Sequence, residues 1–380
     1  MQSTRNEMRV PASDRLASAL LERIERGEYP PGTWLPTERE LAAEFRADRS
    51  TIRAALSSLA DRKLIVREPG RRPRIGSRDN DKQAPATFQT LAILSPQTPH
   101  YPAAPSIQLG ALHVLNQREA PYRLIVFDNG APTRVETIRR ERQVLEAIRN
   151  EGIRGLILWH QGNVETVPDI RQVQQAGIPV VLVDRRHPTL TCDFVGIDNV
   201  QAAREAVGYL LDLGHRRIAH LTMEDQTCTV EEREQGYRDA LQSRGIQLEP
   251  DLIYRMSVRR QLQPPVTEAA EHFLSMPDPP TAVFVMNDLL AHALMTELQL
   301  KNVGVPEQIS VVGFDNMDRH SPIPSPLTTV HQPFEQMGER AIELLLRRLA
   351  EPPGAAATAY WHVMLPTHMI IRSSTRTLDN

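Results

Sequence analysis

Cysteine is scarce in this 380-residue chain: only Cys192 and Cys228 occur, without the spacing of a metal-ligand set. That speaks against a disulfide framework and fits a reducing compartment. Long apolar runs are missing too; none approaches the roughly 20 residues that span a bilayer. The N-terminal stretch MQSTRNEMRVPASDR is polar and lacks the apolar core of a secretory signal, so a cytoplasmic location is expected. Catalytic signatures are also absent. The chain has no G-x-S-x-G, H-E-x-x-H, C-x-x-C or glycine-rich phosphate loop. No catalytic residue, metal site or cofactor is therefore expected, and Glu231-Glu232 reads as a solvated helix face.

The length calls for two or three domains. Charge divides unevenly between them. Met1–Arg78 carries 16 basic and 11 acidic residues, and the remainder 28 and 36. Either a basic head meets nucleic acid while an acidic body does not, or the difference is scatter in small counts. Within that head, Thr37–Leu59 (TERELAAEFRADRSTIRAALSSL) predicts two short helices and a turn. Thr37 with Glu40 has capping-box spacing, and Leu41 and Phe45 share a face. The turn falls near Arg46 and Ala47. Asp48 caps a second helix with Ile52, Ala55, Leu56 and Leu59 on its apolar side. Its exposed start carries Arg49, Ser50, Thr51 and Arg53, as the reading helix of a helix-turn-helix does. An earlier helix with Leu16, Leu20 and Ile24, capped by Ser13 or Asp14, ends at Gly27. The strands Lys63–Arg67 and Arg74-Ile75, turned by Pro69-Gly70, complete a winged helix-turn-helix over residues 1–75.

This head resembles the gluconate-repressor (GntR) family, on GEYPPGTWLPTERELAAEF, RSTIRAAL and LIVREPG. Family members usually carry a second wing glycine; here Gly70 is followed by Arg71, Arg72, Pro73 and Arg74. The resemblance implies duplex DNA as partner. Arg49 and Arg53 are expected to make the main contacts, with Ser50 and Thr51 beside them. Arg39 is expected to hold a phosphate or an outer base. Arg71, Arg72 and Arg74 either enter a minor groove or form a solvated basic hairpin.

Residues 76–89 (GSRDNDKQAPATFQ) read as a flexible linker. From Leu91 onward, apolar runs alternate with helical patterns: 91–94, 123–127, 155–159, 179–183, 218–221, 281–285 and 310–314. Such runs indicate an α/β fold with parallel sheets covered on both faces, here two open sheets. Ligands in these sheets bind beyond the carboxyl ends of strands. Asp128, Asp184, Asn287-Asp288 and Asp315 lie there, as ligand groups or as loop and capping residues.

The body, residues 90–380, resembles the lactose/galactose-repressor (LacI) family and the periplasmic sugar-binding proteins. The resemblance rests on VGIDN, YLLDLGHRRIAHL, REQGYRDAL, PPTAVFVMND, VPEQISVVGFDN and LTTVHQP. It implies two subdomains, one of about 90–185 and 316–330, the other of about 193–315 and 333–372. It also implies an effector cleft lined by Asp184, Thr229, Arg233, Asn287 and Asp315, and a homodimer. Carboxylates and an amide suit vicinal hydroxyls, and Arg233 donates several bonds at once; equally, Arg233 reads as a structural ion pair. Met256 reads as an apolar wall or as core, and His160 and His187 as loop residues. The proline-rich Ser95–Ser106 departs from the family, which leaves the effector open among a sugar, a phosphorylated sugar, a disaccharide and a purine. A winged head on such a body is the layout of arabinose-repressor-type regulators. The expected function is a transcription regulator, a repressor, controlled by a small ligand, with a sugar favoured. A transporter's solute receptor and a sugar hydrolase with a DNA-binding head are the alternatives.

Overall fold

The computed structural model describes residues 12–26, 28–29, 33–61, 64–66, 72–75, 88–97, 103–118, 122–131, 133–224, 227–257, 266–317, 325–352 and 359–378. The chain divides into two compact units at Thr87/Phe88. Residues 76–87 of the expected linker lie outside the described residues, and its last residue, Gln89, already opens a strand.

In the head, α1 (Ala12–Glu25), α2 (Glu38–Glu44) and α3 (Arg49–Asp61) precede the short strands β1 (Ile65–Val66) and β2 (Arg74–Ile75). The capping box forms: Glu40 N donates to Thr37 Oγ1 at 3.2 Å, and Thr37 N to Glu40 Oε2 at 2.7 Å. Arg46 turns the chain with φ +48°. Ile52, Ala55, Leu56 and Leu59 are fully buried against Leu16, Leu20, Leu41, Ile65 and Ile75, so the predicted apolar faces meet in one core. β1 and β2 pair antiparallel, and Thr33–Leu35 extends them: Leu35 N donates to Pro73 O and Ile75 N to Thr33 O, both at 2.8 Å.

The body continues as β3 (Gln89–Ser95), α4 (Ala103–Asn116), β4 (Tyr122–Asp128), α5 (Arg134–Asn150), β5 (Gly155–Leu158), α6 (Val167–Gln175), β6 (Val180–Val183) and β7 (Asp193–Ile197). Then come α7 (Asn199–Asp212), β8 (Ile218–Met223), α8 (Cys228–Ser243), β9 (Ile253–Met256), α9 (Val266–Leu274), β10 (Ala282–Val285), α10 (Asp288–Leu300) and β11 (Ser310–Asp315). It ends with β12 (Thr328–His331), α11 (Phe334–Leu349), β13 (His362–Leu365) and β14 (His368–Ile370). All seven predicted runs are strands. They form two sheets, ordered β13-β7-β6-β5-β3-β4 and β14-β12-β11-β10-β8-β9, parallel except for β14. Helices on both faces bury these strands, so they read as continuous apolar runs rather than alternating ones.

The division between subdomains differs from the expected one. Strand β7 belongs to the first sheet, beside β6, not to the second. Strand β12 pairs with β11 in the second sheet, although residues 316–330 were assigned to the first subdomain. Helix α11 then packs on α4 and against β5–β7, and β13 joins β7. An apolar run carries no mark of which sheet edge will accept it; the open edges of the assembled sheets decide. The chain thus crosses between subdomains at Asp198, at Gln332-Pro333 and at Pro366-Thr367.

Two glycines set the α4–α11 contact. A Cβ on Gly110 would lie 1.9 Å from Glu335 O, and one on Gly338 1.9 Å from Ile107 O. Gly338→Ala should therefore force the helices apart and destabilise the body by about 1–3 kcal/mol. Gly208→Ala, with nothing within 4 Å of the added carbon, should instead stabilise α7 slightly. Urea unfolding of both variants checks the contrast, and equal midpoints would contradict it.

Candidate functional site

The start of α3 is the first candidate. Asp48 caps it: Thr51 N donates to Oδ1 at 2.9 Å, Thr51 Oγ1 to Oδ2 at 2.8 Å, and Ser50 Oγ also to Oδ1. These bonds hold the Asp48 carboxyl far below its usual range. The Ser50 and Thr51 hydroxyls are thus turned back onto the cap, leaving Arg49 and Arg53 as the exposed cations of this turn. Arg53 Nη2 lies 3.0 Å from Glu38 Oε2, linking α3 to the start of α2. The Thr37 hydrogen bonds hold the Glu40 carboxyl below its usual range, and exposed Arg72 and Arg39 add to that. Arg71 lies outside the described residues.

The second candidate joins the two sheets of the body. Arg233, on α8, is buried. Its Nε donates to Asn199 Oδ1 at 3.0 Å and its Nη1 to Met286 O at 2.6 Å. The same Nη1 lies 3.4 Å from Asp315 Oδ1, and the guanidinium sits 3.8 Å from the centre of the Phe314 ring. Gln332, at a crossover, donates from Nε2 to Asp315 Oδ1 at 2.6 Å, while its buried Oε1 has no hydrogen-bond partner among the described residues. Asp184 ends β6 opposite them, with Arg185 Nε 3.6 Å from its Oδ2. Both aspartates hold positive φ, +64° at Asp184 and +110° at Asp315, conformations that cost energy in a residue with a side chain.

Burial dominates their protonation. It pushes Asp315 up to about 6, against the opposing pull of Arg233 and the Gln332 hydrogen bond, and Asp184 adds to the rise. Asp184 is likewise raised by burial, with Arg185 and Arg233 drawing it down. Arg233 and Arg185 thus both act on two carboxylates drawn from different sheets.

Of the five expected effector residues, the fold brings Asp184, Arg233 and Asp315 together. Thr229 is buried one helical turn before Arg233, with its hydroxyl 3.5 Å from Thr227 Oγ1. Asn287 is largely occupied: its Oδ1 caps α10 by accepting from Leu290 N at 2.9 Å. Asp288 is structural, bonded to Thr329 Oγ1 at 2.6 Å and Met317 N at 2.9 Å. Asp128 ties its own loop by accepting from Gln97 N and Gly130 N, each at 2.8 Å. Met256 is buried core. Sequence reasoning missed Asn199, Gln332 and Arg185 as partners. The first two sit inside the VGIDN and LTTVHQP matches, and the third follows Asp184 directly.

His160 lies in the loop after β5, as expected, and is fully buried there. Burial chiefly, with His187 and Arg185, pushes its pKa down to about 4, so it is neutral at pH 7. Its Nδ1 accepts from Gly162 N at 3.2 Å, and His187 stands edge-on at 5.3 Å. Nearby, Glu141 is buried, with long contacts to Asn129 Nδ2 at 3.4 Å and Asn163 Nδ2 at 3.5 Å, and Thr166 beside it. Burial raises its pKa to about 7. A carboxyl raised on folding stabilises most below its unfolded pKa and loses that contribution as pH rises through the folded one. Glu141→Gln should therefore gain on the wild type, on the order of 3 kcal/mol, between pH 4.5 and pH 8. Urea midpoints of both proteins across that range test it; parallel pH profiles would refute it.

Among the described residues no helix is long and apolar enough to cross a membrane. Residues 12–75 match the bacterial regulatory proteins of the gntR family, and residues 207–375 a periplasmic binding protein-like domain. The chain is similar to the arabinose metabolism transcriptional repressor of Geobacillus stearothermophilus, 28% identical over 97% of this chain and 99% of that protein. It is also similar to the HTH-type transcriptional repressor CytR of Escherichia coli strain K12, 34% identical over 53% of this chain and 57% of that protein. The solved structure of a transcriptional regulator CelR-cellobiose complex shares the fold, with a TM-score of 0.65 at 24% identity over 90% of this chain and 100% of that one. The chain thus joins a gntR-type helix-turn-helix domain at residues 12–75 to a periplasmic binding protein-like domain, the same layout as the arabinose metabolism transcriptional repressors it is similar to.

Proposed function

We propose that this chain is a cytoplasmic transcriptional repressor that binds duplex operator DNA as a homodimer and is controlled by a small polyhydroxylated ligand, a sugar. One observation carries the ligand half: a buried Arg233 bound to Asp315 and facing Asp184 where the two sheets and their crossovers meet. Carboxylates there accept from vicinal hydroxyls, and the guanidinium and the Gln332 amide donate. Hydroxyls bridging Asp184 in one sheet and Asp315 in the other would favour a closed arrangement of the subdomains. A ligand shifts such an equilibrium only by its differential affinity, and a swing from 1:99 to 99:1 takes about 5.5 kcal/mol. Named relatives agree with a regulatory rather than a catalytic role: they are repressors, one of arabinose metabolism, and a structural neighbour holds cellobiose.

The test is operator binding by fluorescence anisotropy with pentoses, hexoses, cellobiose and nucleosides added in turn, beside a thermal-shift screen of the same compounds. A compound that raises the unfolding midpoint should also change operator affinity, tenfold or more. A sugar that raises the midpoint yet leaves operator affinity untouched would sink the proposal.

A further inference from the structure

We propose that the α4–α11 helix pair carries a site for a divalent first-row transition cation, held by His113, Glu335 and Glu339 and separate from the effector cleft. His113 lies on α4, three residues after Gly110; Glu335 and Glu339 lie on α11, flanking Gly338. The two glycines bring the helix backbones into contact, so side chains along the seam converge instead of splaying. One ligand atom from each of the three residues lies within 4.8 Å of the others, and His113 Nδ1 is 3.6 Å from Glu339 Oε1. Zinc held at about 2.0–2.2 Å in tetrahedral geometry places its ligand atoms roughly 3.3–3.6 Å apart. The His113–Glu339 pair already has that separation, and small rotations bring in Glu335.

The ligand set decides the metal. An imidazole with two carboxylates suits Zn2+, Co2+ or Ni2+, whereas Mg2+ and Ca2+ favour all-oxygen shells. Two carboxylates four residues apart on one helix repel each other; a dication between them removes that repulsion. Arg340 feels Glu339 but bonds Glu343 Oε2 at 2.7 Å. His113 is 57% and Glu339 31% exposed, which leaves room for water in the remaining coordination positions. Glu335 is in the first turn of α11, directly after the Gln332-Pro333 crossover. A bound cation would pin that turn to α4.

Zn2+ binding to the full-length protein is measured by competition with a chromophoric chelator. The wild type should bind one Zn2+ per chain that an excess of Mg2+ does not displace. His113→Ala and Glu339→Gln should each weaken it by about tenfold or more, and His113→Cys, which keeps a zinc ligand, should restore it. Zn2+ should raise the thermal midpoint of the wild type but not of His113→Ala, whose metal-free midpoint should match the wild type because the ring is exposed. The response to sugar should survive in all three variants, which separates this site from the cleft. Zn2+ affinity unchanged in His113→Ala, or no Zn2+ bound by the wild type, would overturn the proposal.

Discussion

Replacing Arg233 by alanine is expected to lower the stability of the body by about 3–5 kcal/mol at pH 8, the cost of stranding a buried charge. The guanidinium is buried, and its removal takes from Asp315 its ion-pair partner at 3.4 Å and from Asp184 a neutralising charge. It also takes donors from Asn199 Oδ1 and Met286 O, and uncovers the Phe314 ring. The pH dependence carries the sign. Asp315 already sits at about 6 with the arginine present, so without it the carboxyl rises further. A carboxyl raised on folding costs nothing while protonated in both states. The loss should therefore be smallest near pH 4 and grow as pH rises past the folded pKa. Sugar binding should disappear together with the control of operator binding. Arg233→Lys separates the two effects: the charge persists and stability is largely kept, but a single ammonium cannot hold Asn199, Met286 O and Asp315 together. Urea titrations at pH 4.5 and 8, with sugar titrations on Arg233→Lys, check this; a loss below 1 kcal/mol at pH 8 contradicts it. The head has its own core, so operator binding should persist wherever the body remains folded.

Arg53→Ala should weaken operator binding by about 10- to 100-fold, the loss expected for one base-reading arginine fork, while leaving sugar affinity unchanged. Arg53 is exposed on α3 and held by Glu38 in the absence of DNA. In the proposed complex the guanidinium exchanges that carboxylate for a base edge. Arg72→Ala should behave differently. It is exposed at the base of the wing, and as a proposed phosphate contact its loss should weaken operator and scrambled DNA alike and lower the salt slope by about 1. Anisotropy titrations on both duplexes at two salt concentrations distinguish these roles. An equal loss on both duplexes for Arg53→Ala would make it a backbone contact.

Much of this was legible because it is local. The capping box at Thr37 and Glu40, the cap at Asp48 and the buried face of α3 depend on spacings of three or four residues. The wing strands were legible in outline, since Ile65-Val66 and Arg74-Ile75 pair antiparallel, while the expected turn at Pro69-Gly70 lies outside the described residues. Asp184 and Asp315 were legible as strand ends. What Asn287 does was not: whether an Asn after a strand faces a ligand or caps the next helix depends on its rotamer. Burial of Glu141 was equally hidden, because it lies in a polar local context and only the packed neighbours exclude water.

The sequence by itself determined the two-part design, a basic helix-turn-helix head and an α/β body, because period, cap and turn signals act within a few residues. Only the tertiary structure decided which sheet took β7 and β12, where the chain crosses, and that Arg233 joins Asn199, Met286 O and Asp315. It alone decided that Gly110 and Gly338 bring His113 beside Glu335 and Glu339. Those pairings join residues dozens to hundreds of positions apart, and their energies depend on burial, a property of the assembled chain and of no single segment.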